Sequence, residues 1–302
     1  MASKFSGGVA LALLAAFGFS AKAIFIKLAY GYAQAAPVGA VTLLALRMAF
    51  ALPVFLWIGL RESRNATPLE RRDWAAILAL GLLGYYGASI LDFLGLQYIS
   101  AGLERLILFT YPTLTLLLGA LLYGQKIGRR EWWALALCYL GIGAAFAHDL
   151  NLSAETSAVW IGAAFVFGSS VCYALYLSGS GPMLARIGVT RFTALAMLVS
   201  TAATLVHFLA SQPLSALVQP LPIYGYGLAM AVLSTIIPVF AQSAAIRRIG
   251  SGRAALIGTI GPLLTIVFGW WLLGETISVW QLAGMALVVA GVVLVSRRGS
   301  AA

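Results

Sequence analysis

Charged residues are scarce in this sequence: they make up 9% of its 302 residues, whereas hydrophobic residues make up 62%. A soluble globular domain carries about a quarter charged residues, so the composition excludes that class of protein. The mean hydropathy of +0.96 points the same way. We therefore expect an integral membrane protein.

Acidic residues are the scarcer kind of charge, 9 against 19 Lys and Arg, which leaves a net charge of +10. Nucleic-acid-binding proteins are also basic, but they need a basic face on a water-exposed domain. The segments between the apolar runs are too short to form such a domain. No nucleic-acid partner is therefore expected.

The sequence also lacks the residues of an enzyme or a metal centre. Its two cysteines, Cys138 and Cys172, lie in apolar runs without metal-ligand spacing, and there is no H-E-x-x-H motif, P-loop or nucleophile elbow. We expect no catalytic residues, no metal and no cofactor. Without a nucleotide site, a transport protein of this sequence would couple to an ion gradient, exchange substrates or allow passage downhill.

What the sequence has instead is a series of apolar runs, each long enough to cross a hydrocarbon core of about 30 Å as a helix. We place ten of them, at residues 8–30, 38–60, 74–97, 102–123, 131–147, 157–178, 190–210, 224–246, 252–273 and 279–296. They predict an all-α integral membrane protein with ten transmembrane helices.

The basic residues predict the orientation of these helices. Most of the 19 Lys and Arg residues lie in segments on one side of the runs, and cytoplasmic segments retain basic residues. Both termini are therefore predicted to be cytoplasmic. An alternative for the N-terminus is a secretory signal, because Lys4, an apolar run and Ala21-Lys22-Ala23 resemble one.

The second half of the sequence repeats the first. With an offset of 150 positions, residues 100–144 align without gaps to residues 250–294. The shared residues include Gly102/Gly252, Pro112/Pro262, Thr115/Thr265, Gly119/Gly269, Gly124/Gly274 and Gly141/Gly291. We predict two five-helix repeats, residues 1–147 and 157–298. Because five is odd, the second repeat enters the membrane in the opposite sense, and inverted repeats are typical of transporters that alternate access to a site near the midplane.

Six ionisable residues fall inside the predicted helices, where each costs a few kcal/mol unless it faces a cavity or a partner. They are Lys22, Lys27, Arg47, Asp92, Glu104 and Arg105. By position along the helices, the deeper set is Lys22, Arg47 and Asp92. The other three are expected close enough to the outer edge to reach the headgroups.

Two interpretations of the deeper set remain open. In the first, Lys22 and Arg47 bind a carboxylate or another anionic group of a small-molecule substrate, and Asp92 takes a substrate amine or a coupling proton. In the second, Asp92 pairs with Arg47 or Lys22 only to tether helices.

Further candidates for substrate binding lie on polar faces of the predicted helices. On the third run, Tyr85, Ser89 and Asp92 share a helical face by their i, i+4, i+7 spacing. The repeat offset places Thr235 and Gln242 opposite Tyr85 and Asp92, and Tyr173 of the sixth run either stacks on substrate or fills a helix gap. The predicted substrate-binding residues are thus Lys22, Arg47, Tyr85, Ser89, Asp92, Tyr173, Thr235 and Gln242.

Two pairs of residues are candidates for a gate and a hinge. Glu104 and Arg105 are alanines in the second half, so we predict that they serve substrate choice or an outer gate. Pro112 and Pro262 remove a backbone donor at equivalent positions, which permits a kink and predicts a hinge.

Small residues form faces on the fifth and tenth runs. They are Ala134, Cys138, Gly141 and Ala145 on the fifth, and Gly284 and Gly291 on the tenth. Close helix packing is the expected use and homodimerisation the alternative. A monomer and a homodimer both remain open.

The chain resembles the EamA-type branch of the drug/metabolite transporter superfamily in four segments. They are AAFGFSAKAIFIKLA in the first run, LALRMAFALP with Arg47 and Pro53, LQYISAG followed by Pro112, and LLGETIS closing the ninth run. The resemblance implies a ten-helix exporter of two inverted repeats in the bacterial inner membrane. The sequence departs from the family pattern at Phe17, where Trp is usual, at Gln125, where Glu is common, and at the pair Glu104-Arg105.

The expected function is a secondary transporter that exports a small polar metabolite, such as an amino acid. The surplus of basic over acidic groups inside the predicted helices favours a substrate with a carboxylate. One alternative is a polyspecific exporter of lipophilic cations that uses aromatic residues and Asp92. A remote alternative is an intramembrane enzyme, against which the lack of clustered carboxylates counts. The expected partners are the substrate, membrane lipid and a proton as candidate coupling ion.

Overall fold

A computed structural model describes residues 2–32, 38–124, 127–152, 155–249, 254, 257–258 and 260–296. Within these ranges the chain is helical and contains no β-strand, which confirms an all-α protein for the part of the chain described. The α-helices are α1 (Ala2–Tyr32), α2 (Ala40–Ser63), α3 (Arg71–Gly81), α4 (Ala88–Gly95), α5 (Ala101–Leu108), α6 (Tyr111–Tyr123), α7 (Arg129–Leu152), α8 (Thr156–Ile187), α9 (Val189–Ser211), α10 (Leu221–Ala231), α11 (Ile237–Ile249), α12 (Gly261–Leu273) and α13 (Val279–Ser296).

Seven helical stretches of the described chain are long and apolar enough to cross a membrane. They are Gly7–Tyr32, Ala40–Ser63, Arg71–Gly95, Ala101–Leu121, Thr156–Ile187, Val189–Ser211 and Leu221–Ala245. Three shorter apolar helices are Trp132–His148, Gly261–Leu273 and Val279–Leu294. Every predicted run overlaps one of these stretches, although residues 252–253, 255–256 and 259 of the ninth run lie outside the described residues. A total of ten membrane helices remains a prediction.

Two of the long stretches contain a π-helical segment that the sequence did not predict. Leu82–Gly87 joins α3 to α4, and Val232–Ile236 joins α10 to α11. A π-helical segment adds a residue to a helical turn and is frequent at functional sites. In the second segment, Thr235 Oγ1 donates a hydrogen bond over 3.0 Å to the carbonyl oxygen of Met230, five residues earlier. The hydroxyl thus satisfies a backbone acceptor that the altered helix exposes.

The predicted fourth run consists of two helices. α5 ends at Leu108 and α6 begins at Tyr111, with Pro112 in the first turn of α6, where its missing N–H has no helical acceptor. Pro262 occupies the first turn of α12 in the same way. Both prolines therefore start a helix and do not kink a continuous one. Their role as hinges remains a prediction.

Helices from the two halves of the chain are interleaved. α1 packs on α10, α11 and α12, whereas α8 packs on α4, α6 and the π-helical segment before α4. Two further pairs also join the halves, α2 with α9 and α7 with α13. Any movement of one half against the other would therefore change the contacts within these pairs of helices.

α7 and α13 approach closely through their small residues. A Cβ atom on Gly141 would lie 2.5 Å from the carbonyl oxygen of Gly284, and one on Gly291 would lie 2.7 Å from the carbonyl oxygen of Ala134. Cys138, a free and buried thiol, donates to the carbonyl oxygen of Val288 over 3.6 Å. The close packing predicted for these faces is confirmed, and it lies within one chain.

Candidate functional site

Lys22 and Asp92 form an ion pair inside the helical bundle. Lys22 Nζ of α1 lies 2.6 Å from Asp92 Oδ2 of α4, and the side chain of Asp92 is 1% exposed. A carboxylate held this far from water needs a counter-ion, because removal of the partner leaves an uncompensated buried charge. Of the two pairs that the sequence left open for Asp92, the structure contains the one with Lys22.

Glu104 and Arg105 are buried in the first turns of α5, with exposures of 0% and 5%. The expectation that they reach the headgroup edge is wrong, because α5 is enclosed by neighbouring helices, including α1, α8, α12 and α13. The start of α5 is fixed by two caps. Ser100 Oγ accepts from the backbone N–H of Leu103 over 3.1 Å, and Glu275 Oε1 accepts from that of Ala101 over 3.0 Å.

Arg105 ties three helices together. Its Nη2 donates to the carbonyl oxygen of Phe19 on α1 over 2.8 Å, and its Nε donates to Thr265 Oγ1 on α12 over 3.1 Å. Thr265 Oγ1 donates in turn to the carbonyl oxygen of Ser20 over 3.3 Å, and Ser20 Oγ donates to that of Gly261 over 3.0 Å. The planar guanidinium makes this possible, since it presents donors in several fixed directions.

The carboxyl groups of Asp92 and Glu104 are close enough to act on each other electrostatically. We call Lys22, Asp92, Glu104 and Arg105 the charge cluster. Both oxygens of Glu104 are buried and accept no hydrogen bond from an N–H or hydroxyl group of the described residues. Arg105 Nε lies 3.7 Å from Glu104 Oε2, beyond hydrogen-bond distance. Among the described residues, Glu104 is thus a buried carboxyl without a hydrogen-bond donor, beside the carboxyl of Asp92.

Arg47 of α2 lies next to this cluster and is 6% exposed. Its Nε donates to Thr235 Oγ1 over 3.0 Å, and its guanidinium lies over the ring of Phe93, 5.7 Å from the centroid. Asp92 is near enough to interact with it electrostatically. Arg47 Nη1 is buried and has no hydrogen-bond partner among the described residues. A buried guanidinium with a free donor is equipped to bind an anionic group.

Tyr85 contacts α8. Tyr85 lies in the first π-helical segment, so the regular spacing that placed it on the face of Ser89 and Asp92 does not hold there. Its hydroxyl lies 3.0 Å from that of Tyr176 on α8, and the Tyr176 ring stacks on Tyr173 at 5.8 Å. The three tyrosines thus form an aromatic group, and Tyr173 also contacts the ring of Tyr111 on α6 at 5.0 Å.

The remaining predicted residues do not belong to the charge cluster. Ser89 on α4 and Gln242 on α11 are half-buried. Lys27 donates from Nζ to the carbonyl oxygen of Leu96 over 3.3 Å. Sequence reasoning missed Thr265 as a partner of Arg105. The repeat contained a signal for it, since Thr115 and Thr265 are equivalent positions.

The described residues contain no group of three His, Cys, Asp or Glu side chains that could hold a metal ion. The side chains of the charge cluster and Arg47 offer ionic chemistry: cations that can hold a carboxylate, and carboxyls that can hold an amine or a proton.

Comparison with known proteins identifies relatives that are transporters. The sequence pattern of the EamA-like transporter family matches residues 6–146 and 160–297. The uncharacterized transporter YcbK of Bacillus subtilis is 32% identical over 287 residues, which cover 92% of this chain and 89% of YcbK. The threonine/homoserine exporter RhtA of Escherichia coli is 28% identical over 217 residues, which cover 68% of each chain.

A protein crystal structure with 18% sequence identity has a similar fold, with a TM-score of 0.62 over 97% of this chain and 98% of the other. This likeness concerns the fold alone. The family pattern matches both halves of the chain, and YcbK spans nearly all of it. On these grounds the chain belongs to the EamA-like transporter family of the drug/metabolite transporter superfamily.

Proposed function

We propose that the chain is a secondary transporter that exports a small polar metabolite with both a carboxylate and an amine, such as an amino acid, across the bacterial inner membrane by alternating access. The observation that carries this proposal is the buried Arg47, whose Nη1 has no partner among the described residues, beside the ion pair of Lys22 and Asp92. Membership of a transporter family supplies the class of activity.

The charges of a zwitterion complement this arrangement. A substrate carboxylate would bind the free Nη1 of Arg47, an interaction stronger than that between neutral groups. The substrate ammonium would bind Asp92 beside Lys22. Because these groups lie within electrostatic range of one another, a single small molecule can engage both. Such a molecule leaves neither of its own charges unpaired in the low-dielectric interior.

The interleaved packing supports alternating access. α1 packs on helices of the second half, and α8 packs on helices of the first. The π-helical segments and the helix starts at Pro112 and Pro262 recur at the repeat offset. Two inverted repeats that rock about a central site would need equivalent weak points of this kind. Glu104 and Arg105 would form the outer gate.

Export of an amino acid is supported by a relative of stated substrate, the threonine/homoserine exporter RhtA. The identity to this protein is 28%, so the substrate class is what it supports. Threonine and homoserine each carry one carboxylate and one ammonium group. They are therefore the first compounds to test.

Export of lipophilic cations is the second candidate. It would use Asp92 as an unpaired carboxylate among aromatic rings, and the tyrosine group around Tyr176 offers such rings. Two observations weigh against it: Lys22 neutralises Asp92 at 2.6 Å, and the cationic Arg47 lies nearby. An intramembrane enzyme has no such supporting observation, and the relatives named above are transporters.

The test is counterflow in proteoliposomes that contain purified protein. Vesicles loaded with unlabelled threonine or homoserine should accumulate the labelled amino acid, and Arg47→Ala or Asp92→Asn should abolish the accumulation. Arg61→Ala is the matched control, because Arg61 is exposed at the end of α2 and lies over Trp57. Wild-type activity in both site variants would remove these residues from the binding site. Counterflow of tetraphenylphosphonium but not of amino acids would favour the cation exporter.

A further inference from the structure

We propose that Asp92 and Glu104 form a proton-binding site in which the two carboxyl groups share one proton, and that this proton exchanges with the ammonium group of the substrate. The first part concerns the charge cluster alone. The second part rests on the proposed function. Together they make the transporter an exporter driven by inward movement of protons.

The geometry of the two carboxyls requires a donor between them. They are 1% and 0% exposed and act on each other electrostatically, and none of their four oxygens has a hydrogen-bond partner among the described residues. A carboxylate can only accept hydrogen bonds, so two ionised groups in contact repel each other. Apart from the Lys22 ammonium beside Asp92, the described residues offer no N–H or hydroxyl donor to their oxygens. One carboxyl proton supplies the missing donor and removes the repulsion.

The charges that face the pair come from several elements. Cations are contributed by Lys22 of α1, Arg47 of α2 and Arg105 of α5, each within electrostatic range of one or both carboxyls. Two tyrosines also lie near the cluster. Tyr30 of α1 donates to the carbonyl oxygen of Phe93, and Tyr111 of α6 lies within range of Arg105.

Glu275 is excluded as a member of the site. This residue, in the segment after α12, accepts a hydrogen bond from the backbone N–H of Ala101. Lys27 also lies within electrostatic range of it. Asp92 and Glu104 are thus the acidic pair that a buried proton can join.

The charge balance explains how proton and substrate would compete. With one shared proton, Lys22 and Arg105 face a single negative charge. When a substrate ammonium binds between the carboxyls, the shared proton leaves to water and both carboxyls are ionised, so one positive charge replaces another. The ammonium keeps its own protons, and no covalent bond to carbon changes. A site that holds either the proton or the ammonium exchanges one for the other, which is antiport.

Infrared spectroscopy tests the proton site without any substrate. Purified protein in lipid at neutral pH should show the carbonyl stretch of a protonated, buried carboxyl. Glu104→Gln should remove this band, and Asp92→Asn should shift its frequency because the hydrogen-bond partner changes. Glu62→Gln, at an exposed position of α2, is the control and should leave the band in place. The proposal is overturned if the wild-type band is absent or if both cluster variants leave it unchanged.

Proteoliposomes test the coupling. In wild type and in Glu62→Gln, an imposed pH gradient should accelerate accumulation of the labelled amino acid several-fold over counterflow alone. In Glu104→Gln, the ratio of the two rates should fall to one. An unchanged ratio would overturn the coupling. If wild-type vesicles show no counterflow of any amino acid, the proposed substrate class fails, and the infrared band still decides whether the pair binds a proton.

Discussion

Lys22 Nζ lies 2.6 Å from Asp92 Oδ2 and so joins α1 to α4. The two helices have different neighbours, because α1 packs on α10 to α12 and α4 packs on α8. The ion pair therefore joins two helices of the first half that pack on different helices of the second half. This makes its energetic contribution measurable both as stability and as transport.

Lys22→Met should destabilise the protein strongly. It leaves the carboxylate of Asp92 buried without its counter-ion, and breaking a buried pair in this way costs about 3–5 kcal/mol. The double variant Lys22→Met/Asp92→Asn should recover most of that loss, because no buried charge is left unpaired. Thermal unfolding in detergent measures both. A double variant no more stable than Lys22→Met would show that the pair is not the source of the loss.

The contact of α7 with α13 should tolerate no added methyl group. Gly141→Ala places a Cβ atom 2.5 Å from the carbonyl oxygen of Gly284, so the helices must separate. Overpacking of this kind costs about 1–3 kcal/mol. Gly143→Ala on the same helix is the control, since nothing lies within 4 Å of its added Cβ. It should be neutral or slightly stabilising, because alanine favours helix. Equal thermal unfolding of the two variants would contradict the close approach.

Thr265→Val should weaken the anchor of Arg105. The substitution keeps the side-chain volume but removes the hydroxyl that accepts from Arg105 Nε over 3.1 Å. A hydrogen bond to a charged group contributes about 1.5–3 kcal/mol. Its repeat counterpart Thr115 provides the control, because Thr115 Oγ1 donates only within its own helix, to the carbonyl oxygen of Tyr111. Thr115→Val should therefore unfold at a temperature closer to that of wild type.

The positions and partners of several residues could be predicted from the sequence. A charge in an apolar run has to find a partner, which is why Lys22 and Asp92 could be predicted as one of two possible pairs. The family membership and the all-α architecture likewise follow from patterns in the chain. These features depend on composition and spacing along a single helix.

Lateral packing could not be predicted in the same way. Position along a helix gives the depth of Glu104 and Arg105 but does not show that α5 is enclosed on several sides. The π-helical segment at Leu82–Gly87 was also missed, because hydrophobic periodicity assumes a regular turn. The contact of Tyr85 with Tyr176 could therefore not be predicted from regular spacing.

Arg186 should restrain the connection between α2 and α3. Its Nη2 lies 2.7 Å from Glu70 Oε1 and 3.0 Å from Asp73 Oδ2, the two residues that cap α3. Arg186→Gln removes both ion pairs. Maleimide labelling of Asn65→Cys, with Cys138 and Cys172 replaced by alanine, should then become faster.

Salt provides an independent check on this restraint. Ion pairs near the surface are screened by salt, so high ionic strength should speed labelling in the parent protein and have little further effect in Arg186→Gln. Arg129→Gln, at an exposed position of α7, is the control and should label at the parent rate. Equal rates for Arg186→Gln and its parent would show that the ion pairs do not hold the connection.

Thr235→Val should impair substrate binding through Arg47 without contact between Thr235 and the substrate. Thr235 Oγ1 accepts from Arg47 Nε over 3.0 Å and donates to the carbonyl oxygen of Met230, so it fixes the direction in which Nη1 points. Loss of a hydrogen bond to a charged group, about 1.5–3 kcal/mol, corresponds to a rise in KM of about 10- to 100-fold. Thr201→Val is the matched control, because Thr201 is equally buried but donates only to the carbonyl oxygen of Met197. Concentration-dependent counterflow gives KM for both variants. A KM that rises equally in the two would mean that the loss of a buried hydroxyl, and not the orientation of Arg47, is responsible.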